Sequence, residues 1–417
     1  MIDPQLLKNN FEIIQDNLKK RDLEIDLEKL KSLDEERRAI KFESEKLRSE
    51  QKKLGKDIAT TDGDQKNKLL KKAEKLSEKV KQLSDKNQKK DEQFFNEWIK
   101  IPNIVDPSSP VGKTDEDNKE LKKVGKPKDI QNPLSHLNIG ENLRLIDVEK
   151  ASSVSGSRFS YLFGDLVKIQ FNLVSYAMNK LSAKGFNPTI PPVLVRENAL
   201  YGTGFFPDDS DQVYEIPNDD LFLVGTSEVS LAALHSDEIV SYDSLPIRYA
   251  GYSTCFRREA GTYGKDTSGI FRVHQFDKVE MFSFCSPEKS DEEHEFILSI
   301  EEEILQELEI PYRVVDVCTG DLGSSAAKKY DIEAWIPSQE QYREVTSCSN
   351  TTDFQARRLN IRTKIDKNST LLHTLNGTAI AVGRILIALL ENNQTKDGNV
   401  EFSENLSKIL GINKLSK

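Results

Sequence analysis

A seven-residue hydrophobic repeat in the first hundred residues constrains the fold of this chain more than any other feature. Its second half follows the alternating four-and-three spacing of a coiled-coil seam at Leu69, Ala73, Leu76, Val80, Leu83 and Asn87. In its first half an apolar residue recurs every seven positions, at Leu33, Ile40, Leu47 and Leu54, while the alternate seam is polar, with Arg37, Ser44 and Gln51. Between the halves, Thr60-Thr61-Asp62-Gly63-Asp64 is a strong turn signal. The pattern predicts two antiparallel helices of about 30 residues, which would extend for about 45 Å.

Charge is distributed unevenly along the 417 residues, whose formal net charge is −10. Residues 27–100 contain 21 Lys and Arg against 16 Asp and Glu, and residues 65–90 contain ten Lys and three acids. The net charge excludes a globally basic nucleic-acid binder. The basic stretch is either an ordinary solvated helix face or a surface that binds a polyanion, since clustered lysines neutralise phosphates.

The cysteines and the N-terminus point to an ordinary reducing compartment. Four cysteines are widely spaced, without a CxxC pair, which argues against a zinc knuckle and a disulfide framework. The first residues lack the basic start and apolar core of a signal peptide, and no apolar run approaches about 18 residues. We therefore expect a cytoplasmic protein with no membrane partner.

After residue 100 the sequence changes character. Residues 101–132 are rich in Pro, Gly, Asp and Lys, which predicts a linker or a surface loop. The remainder predicts helices at 163–181, 296–308 and 379–390, and strands at 221–224, 279–284, 312–317 and 331–336. Because these elements lack a regular βαβ alternation, they favour an α+β domain around an antiparallel sheet.

Three short segments carry residues suited to chemistry, whereas Rossmann, P-loop, HExxH and GxSxG motifs are absent. The first predicts two antiparallel strands joined by a loop with Gly261, Gly264 and Gly269. On these strands Arg257 is suited to a phosphate or carboxylate, and Glu259 and Glu280 to amines, unless they form ordinary ion pairs at a strand edge.

The second segment runs from Glu344 to Asn350, where an acid and a hydroxyl three residues later offer oxygen ligands to Mg²⁺; a capped loop is the alternative. In the third, the small residues 376–379 are predicted to open an apolar helix that carries Arg384. That arginine requires an anionic partner, either a structural carboxylate or a phosphate.

Together these segments resemble the three signature motifs of class II aminoacyl-tRNA synthetases, and in detail those of the bacterial-type seryl-tRNA synthetase family. Motif 1 resembles Gly185-Phe186 through Pro191-Pro192-Val193-Leu194, motif 2 resembles FRREAG through HQFDKVEMF, and motif 3 resembles NGTAIAVGRILIALLEN. LVGTSEVSLAAL resembles the family's serine-binding loop, and EVTSCSNTTDFQARR its ATP and metal segment. The resemblance implies an α+β class II antiparallel sheet with flanking helices at 106–417, and a coiled-coil tRNA-binding arm at 1–105.

The resemblance also implies roles for individual residues. For ATP, Arg257 contacts the α-phosphate and the serine carboxylate, Arg384 the γ-phosphate, Glu259 the adenine amino group, and Phe276 the ring. The rest of the ATP set is Arg258, Val273, Glu344, Val345, Thr346 and Ser347, of which Glu344 and Ser347 also hold Mg²⁺. For serine, the implied contacts are Thr226, Ser227, Glu228 at the ammonium, and Glu280 and Thr378 at the hydroxyl.

The resemblance to this family also implies an activity. It implies an ATP-dependent ligase that forms seryl-adenylate from L-serine and transfers serine to tRNA(Ser), and also to tRNA(Sec), as a homodimer. Two alternatives stay open. One is an amino-acid-activating enzyme that loads another carrier, and the other is a non-catalytic coiled-coil interaction protein on this fold.

Overall fold

The computed structural model describes residues 1–261, 269–365 and 368–417. These residues form two compact units: Asp3–Lys19 with Leu23–Ile101, and Met1–Ile2 with Lys20–Asp22 and Pro102–Lys417. Within the described ranges, no helix combines the length and apolar character that crossing a bilayer requires. The predicted loop residue Gly264 lies outside these ranges.

The smaller unit is helical. Its elements are α1 (Gln5–Asn9), α2 (Phe11–Lys20), α3 (Leu27–Thr60) and α4 (Gly63–Trp98). The side chain of Asp26 caps α3 by accepting a hydrogen bond of 2.9 Å from the backbone N–H of Lys29. Helices α3 and α4 fold back on each other at the predicted turn, and the predicted two-helix arm is confirmed.

Polar residues of the α3 seam are packed between the helices. Ser44 is buried, and the guanidinium of Arg37 lies 4.1 Å from the centre of the Phe94 ring on α4. Arg37 also lies 3.4 Å from the Asp91 carboxylate. At Arg37 the polar seam is therefore satisfied by a cation–π contact and an ion pair, where a regular coiled coil places an apolar side chain.

The larger unit combines helices with several sheets. Its helices are α5 (His136–Asn142), α6 (Val148–Ser155), α7 (Asp165–Ala183), α8 (Glu197–Thr203), α9 (Glu228–Ala233), α10 (Ser290–Glu307), α11 (Phe354–Leu359), α12 (Val382–Asn392) and α13 (Glu404–Leu410). Its strands are β1 (Lys119–Val124), β2 (Ile146–Asp147), β3 (Tyr161–Leu162), β4 (Asn187–Thr189), β5 (Leu194–Val195), β6 (Tyr214–Ile216), β7 (Leu221–Leu223), β8 (Ile239–Val240), β9 (Ile247–Phe256), β10 (Gln275–Cys285), β11 (Tyr312–Asp316), β12 (Lys328–Ile336), β13 (Gln341–Asn350), β14 (Arg362–Ile365), β15 (Asn368–Leu371), β16 (His373–Ala381), β17 (Val400–Glu401) and β18 (Lys414–Leu415).

The principal sheet has, within the described residues, eight strands in the order β1-β11-β12-β13-β16-β10-β9-β4. Its neighbours are antiparallel, except that β4 runs parallel to β9. Helix α10 packs on the centre of this sheet, and its Ile297, Ile300 and Ile304 share a buried core with Val279 and Leu375 of the strands. The predicted α+β class with an antiparallel sheet is confirmed.

Three sequence-based expectations about local structure are wrong. Residues 101–132 do not form only a linker, because β1 pairs with β11 at the edge of the principal sheet. The predicted helix at 379–390 begins only at Val382, since the preceding small residues continue β16 and pair with β10. Residues 344–350 belong to β13 and do not form the alternative capped loop. In each case pairing within the sheet outweighs the local preference.

Candidate active site

All of the predicted site residues except Ser227 and Arg258 line one cavity on the principal sheet, with a volume of about 250 Å³. Those that line it are Thr226, Glu228, Arg257, Glu259, Val273, Phe276, Glu280, Glu344, Val345, Thr346, Ser347, Thr378 and Arg384. Segments distant in the sequence thus meet at one place.

Strands β10 and β16 position one wall of the cavity. Phe276, Lys278 and Glu280 are spaced two apart in β10 and therefore share a face of the sheet. The pairing of β16 with β10 skips Ala379, which forms a β-bulge. The bulge places Thr378 directly across from Glu280, so a hydroxyl and a carboxylate lie side by side.

A second β-bulge lies in β13, where the pairing with β12 skips Val345 between Glu344 and Thr346. The extra residue brings Glu344 and Ser347 to the same face, which a spacing of three would not do in a regular strand. Val345 belongs to the hydrophobic core, and the hydroxyl of Thr346 donates to the carbonyl oxygen of Thr378. The side chains of Val345 and Thr346 therefore make contacts inside the protein, while the segment that carries them forms part of the cavity wall.

Glu280 lies at the enclosed end of the cavity, with a side chain that is 2% exposed. Its carboxylate accepts a hydrogen bond of 3.2 Å from the hydroxyl of Thr226 and contacts the ammonium group of Lys278. The Lys278 side chain is itself only 8% exposed, so the two charges compensate each other inside the protein. This end of the cavity offers a carboxylate and hydroxyls to a small polar ligand.

Glu228 provides the second buried carboxylate. Its Oε1 accepts hydrogen bonds from the side-chain amides of Gln355, at 2.8 Å, and Asn376, at 3.0 Å. Burial and the nearby charge of Glu280 raise the pKa of Glu228 to about 7, although the Gln355 bond acts in the opposite direction. A cationic ligand at this carboxylate would favour its ionised form.

Of the three arginines that line the cavity, Arg272 pairs with Glu259, and the guanidinium groups of the other two come from separate elements. Arg257, which follows β9, donates a hydrogen bond of 3.1 Å from Nε to the carbonyl oxygen of Gly225, and its Cζ lies 5.3 Å from the centre of the Phe276 ring. Arg384, in the first turn of α12, donates a hydrogen bond of 2.9 Å to the carbonyl oxygen of Glu344. The two arginines are cations suited to phosphate or carboxylate groups.

Glu344 stays ionised in this setting. Burial alone would raise its pKa, but the charges of Arg384, Lys329 and Arg257 outweigh burial and lower the pKa of Glu344 to about 2. The carboxylate and the Ser347 hydroxyl present oxygen ligands on one face, which is the donor chemistry that Mg²⁺ prefers. Among the described residues, no group of three or more His, Cys, Asp and Glu could hold a metal ion, so the fit requires oxygens from a substrate as well.

Glu259 lies at the start of the segment that leaves β9. Its backbone is left-handed, with φ of 52°, and its carboxylate pairs with Arg272 at 2.9 Å. Such a conformation costs a non-glycine residue about 1 kcal/mol and is found preferentially at functional sites. Together with Val273 and Phe276 it forms the part of the cavity suited to a planar ring with an amino group.

Ser227 and Arg258 are the predicted residues that the structure does not bring into the cavity lining. Ser227 is fully buried, and its hydroxyl donates a hydrogen bond of 3.4 Å to the carbonyl oxygen of Gly251. The backbone N–H of Arg258 donates to the carbonyl oxygen of Gln212 at 2.9 Å. Both residues are adjacent in sequence to residues that do line the cavity.

Several lining or supporting residues were missed by sequence reasoning. Lys278 could have been found, because it alternates with Phe276 and Glu280 in the same strand. Asn376 is similarly two residues from Thr378 in β16. Gln355 lies in the segment EVTSCSNTTDFQARR, but no role was predicted for it, and its contact with Glu228 from α11 is set by the fold.

The arrangement can bind a ligand that carries charges of both signs. Its arginines suit phosphate and carboxylate groups, while Glu228 and Glu280 suit an ammonium group and a hydroxyl. The cavity therefore favours holding two polar reactants beside each other.

Comparisons with known proteins agree with this geometry. Residues 1–105 match the seryl-tRNA synthetase N-terminal domain, and residues 213–393 match the tRNA synthetase class II core domain (G, H, P, S and T). The chain is 47% identical to serine–tRNA ligase 1 of Streptomyces avermitilis over 99% of this chain and 98% of the relative, and 48% identical to the serine–tRNA ligase of Acidothermus cellulolyticus over 100% and 99%. The crystal structure of seryl-tRNA synthetase from Pyrococcus horikoshii complexed with ATP superposes with a TM-score of 0.94, at 41% identity, covering 100% of this chain and 99% of that one.

Proposed function

The chain belongs to the seryl-tRNA synthetase family, and we propose that it activates L-serine with ATP and transfers the serine to the 3′ end of tRNA(Ser). The observation that carries this proposal is one cavity in which Arg257 and Arg384 lie with Glu228 and Glu280. Activation requires an amino acid and a nucleotide to be held in contact, and this cavity offers cationic groups for the phosphates beside anionic groups for an amino acid.

Serine is assigned to the enclosed end of the cavity. Its ammonium would pair with Glu228, and its hydroxyl would donate to Glu280 beside Thr378. Alanine lacks this hydroxyl, so the buried carboxylate of Glu280 would keep its contacts with Thr226 and Lys278 but lose one hydrogen bond, and such a loss inside a protein is costly. The Glu280 side chain is too enclosed to gain a compensating partner from bulk water. These contacts support serine over other small amino acids.

ATP is assigned to the remainder of the cavity. The adenine ring would stack on Phe276 beside Val273, with its amino group at Glu259, and Arg384 would bind the γ-phosphate. Arg257 would contact both the α-phosphate and the serine carboxylate. Arg257 follows β9 and Arg384 lies on α12, and this separation supports their assignment to different phosphates of ATP.

The reaction then needs positioning and charge neutralisation. An oxygen of the serine carboxylate attacks the α-phosphorus of ATP, the bond from that phosphorus to the bridging oxygen breaks, and pyrophosphate leaves. Arg257 and Arg384 reduce the repulsion between the two anionic reactants and stabilise the charge that builds on the phosphates. In the second step the 3′ hydroxyl of the tRNA attacks the serine carbonyl and AMP leaves. No protein nucleophile is required.

The residues present fit a magnesium ion. Glu344 and Ser347 would hold it together with phosphate oxygens of ATP. When bound, Mg²⁺ supplies further neutralisation of the phosphate charge. Glu344 is held ionised by its cationic neighbours and is therefore available as a ligand at neutral pH.

The arm is assigned to tRNA. Helix α4 carries ten lysines and three acids between residues 65 and 90, and most of these lysines are exposed. Such a surface binds a phosphate backbone and releases counterions. The match of residues 1–105 to the seryl-tRNA synthetase N-terminal domain supports the division of the chain at about residue 105.

Membership of the family also bears on the second tRNA substrate, the oligomeric state and the location of the protein. We propose that the chain also charges tRNA(Sec), acts as a homodimer with motif 1 at the subunit interface, and works in the cytoplasm. Exposed apolar side chains support the interface: Ile190 and Leu194 belong to motif 1, and Phe171 lies on α7, which packs against β4 of that motif.

Amino-acid-dependent exchange of pyrophosphate into ATP tests the proposal, followed by charging of purified tRNA(Ser) and tRNA(Sec). We expect exchange with serine and not with alanine or threonine, and charging of both tRNAs. Exchange without charging of any tRNA would favour an enzyme that loads another carrier. Absence of exchange with every amino acid would favour a non-catalytic interaction protein.

A further inference from the structure

We propose that His136, which does not line the cavity, is a positioning residue for the nucleotide half of the cavity and acts by holding the backbone of Ile270. The inference rests on the proposed function, since residues 271–273 matter only if this part of the cavity binds ATP. His136 begins α5, and its side chain is 6% exposed. It lies far along the sequence from every motif discussed above.

The two ring nitrogens of His136 have different partners. Nε2 lies 3.2 Å from the backbone nitrogen of Ile270, and Nδ1 lies 3.0 Å from Oε1 of Glu391. Because a backbone N–H can only donate, Nε2 accepts, and the ring hydrogen is on Nδ1, where it is donated to Glu391. This pair of contacts fixes both the tautomer and the orientation of the imidazole.

Glu391 anchors the histidine from α12. It is fully buried and also accepts hydrogen bonds from the backbone N–H groups of His136, at 2.9 Å, and Ser338, at 3.0 Å. Burial by itself would raise the pKa of Glu391, but these hydrogen bonds outweigh it and lower the pKa below its ordinary value. The imidazole therefore connects Ile270 to the same helix that carries Arg384.

The backbone next to Ile270 packs closely against the imidazole of His136. A Cβ atom at Gly269 would lie 2.1 Å from Nε2 of His136, and Gly269 has a φ of 79° that disfavours other residues. The next residues reach the cavity: the Phe271 ring lies 5.0 Å from the Arg384 guanidinium, and Arg272 pairs with Glu259 at 2.9 Å. A shift of Ile270 would thus displace contacts of both the phosphate and adenine subsites.

Two substitutions at His136 separate its contact with Ile270 from its contact with Glu391. In His136→Gln the side-chain oxygen reaches the position of Nε2 and still accepts from Ile270. In His136→Asn the shorter amide still donates to Glu391 but cannot reach Ile270. Ser135→Ala is the matched control, because it removes the hydrogen bond of 3.3 Å that caps α5 at Asn138 without touching Ile270.

The measurement is serine-dependent pyrophosphate exchange by the full chain, with KM for ATP, KM for serine and kcat determined for each variant. We expect a rise of about three- to tenfold in KM for ATP in His136→Asn, with KM for serine unchanged and near-normal values in His136→Gln and Ser135→Ala. Equal effects of Asn and Gln, an effect on both substrates, or no effect of Asn would overturn the inference. Exchange by the unsubstituted chain tests the proposed function separately.

Discussion

The guanidinium of Arg384 donates a hydrogen bond of 2.9 Å to the carbonyl oxygen of Glu344 and lies 3.4 Å from the carboxylate of the same residue. The contact joins the start of α12 to the bulged part of β13 at the wall of the cavity. One arginine therefore has two tasks, since it holds Glu344 ionised and is proposed to bind the γ-phosphate.

Replacing Arg384 by Ala is expected to lower serine-dependent pyrophosphate exchange by at least about a hundredfold, because a preorganised cation at the phosphates is removed. The measurement is kcat/KM for ATP. Arg362→Ala is the control, because Arg362 begins β14 in a separate small sheet, donates to Asn360 and is outside the cavity lining. Exchange that survives in Arg384→Ala at the level of the control would contradict the assignment of motif 3.

The raised pKa of Glu228 predicts a pH dependence of serine binding. Below about pH 7 the free enzyme takes up a proton at Glu228, and the negative charge that would pair with the serine ammonium disappears. We expect kcat/KM for serine to fall about tenfold per pH unit below that pKa. The profile is measured by pyrophosphate exchange at saturating ATP.

Glu228→Gln provides the comparison for this pH profile. The variant keeps the size of the side chain but cannot ionise, so we expect a lower kcat/KM for serine that no longer declines on the acid side. KM for ATP should remain level over the same range in both proteins. An unchanged acid limb in Glu228→Gln would assign the ionisation to another group.

A second buried carboxyl, Glu301, predicts a pH dependence of stability. Glu301 is fully buried on α10, and a Cβ atom at Gly377 would lie 2.8 Å from its Oε1. Burial raises the pKa of Glu301 well above the ordinary 4.5. The folded protein therefore retains a proton that the unfolded chain releases, and this residue lowers stability progressively as pH rises above 4.5.

Glu301→Gln removes this titration at constant size. Relative to the unsubstituted protein, the variant should gain up to about 1.4 kcal/mol in unfolding free energy per pH unit, until the folded pKa is passed. Urea unfolding at several pH values measures the difference. Glu303→Gln on the same helix should behave in the opposite way, because its ion pairs with Lys184 and Lys180 lower the pKa of Glu303. A pH-independent difference for Glu301→Gln would refute the protonated state.

Features with a strong period could be predicted from the sequence. The arm follows from the seven-residue repeat, because side chains seven apart meet the same partner helix whatever the rest of the chain does. Even its polar seam was visible, although the stacking of Arg37 on Phe94 was not. Thirteen of the cavity residues were predicted together through the resemblance of their motifs to a known family, whereas Lys278 and Asn376 were missed.

Features that depend on pairing between distant segments could not be predicted. A spacing of three between Glu344 and Ser347 puts them on opposite faces of an ordinary strand, and only the bulge at Val345 brings them together. The small residues before Arg384 suggested a helix start, yet the ladder with β10 keeps them in a strand. His136 and Gln355 act through contacts across the fold, for which no local pattern exists.

Deletion of the arm should separate tRNA charging from serine activation. Every residue assigned to ATP and serine lies after residue 105, so deletion of residues 33–94 should leave serine-dependent exchange within about threefold of normal while charging of tRNA(Ser) is abolished.

A subtler variant keeps the arm and removes exposed charge from α4, with Lys71, Lys72, Lys75 and Lys79 replaced by Gln. For each phosphate that a lysine no longer neutralises, the slope of the logarithm of the tRNA-binding constant against the logarithm of the salt concentration should decrease in magnitude by about one. KM for tRNA should rise, while KM for ATP stays constant. Glu74→Gln with Glu78→Gln on the same helix is the matched control, since removing acids cannot weaken attraction to a polyanion. If the lysine variant charges tRNA(Ser) with the KM and salt dependence of this control, these lysines do not contact the nucleic acid.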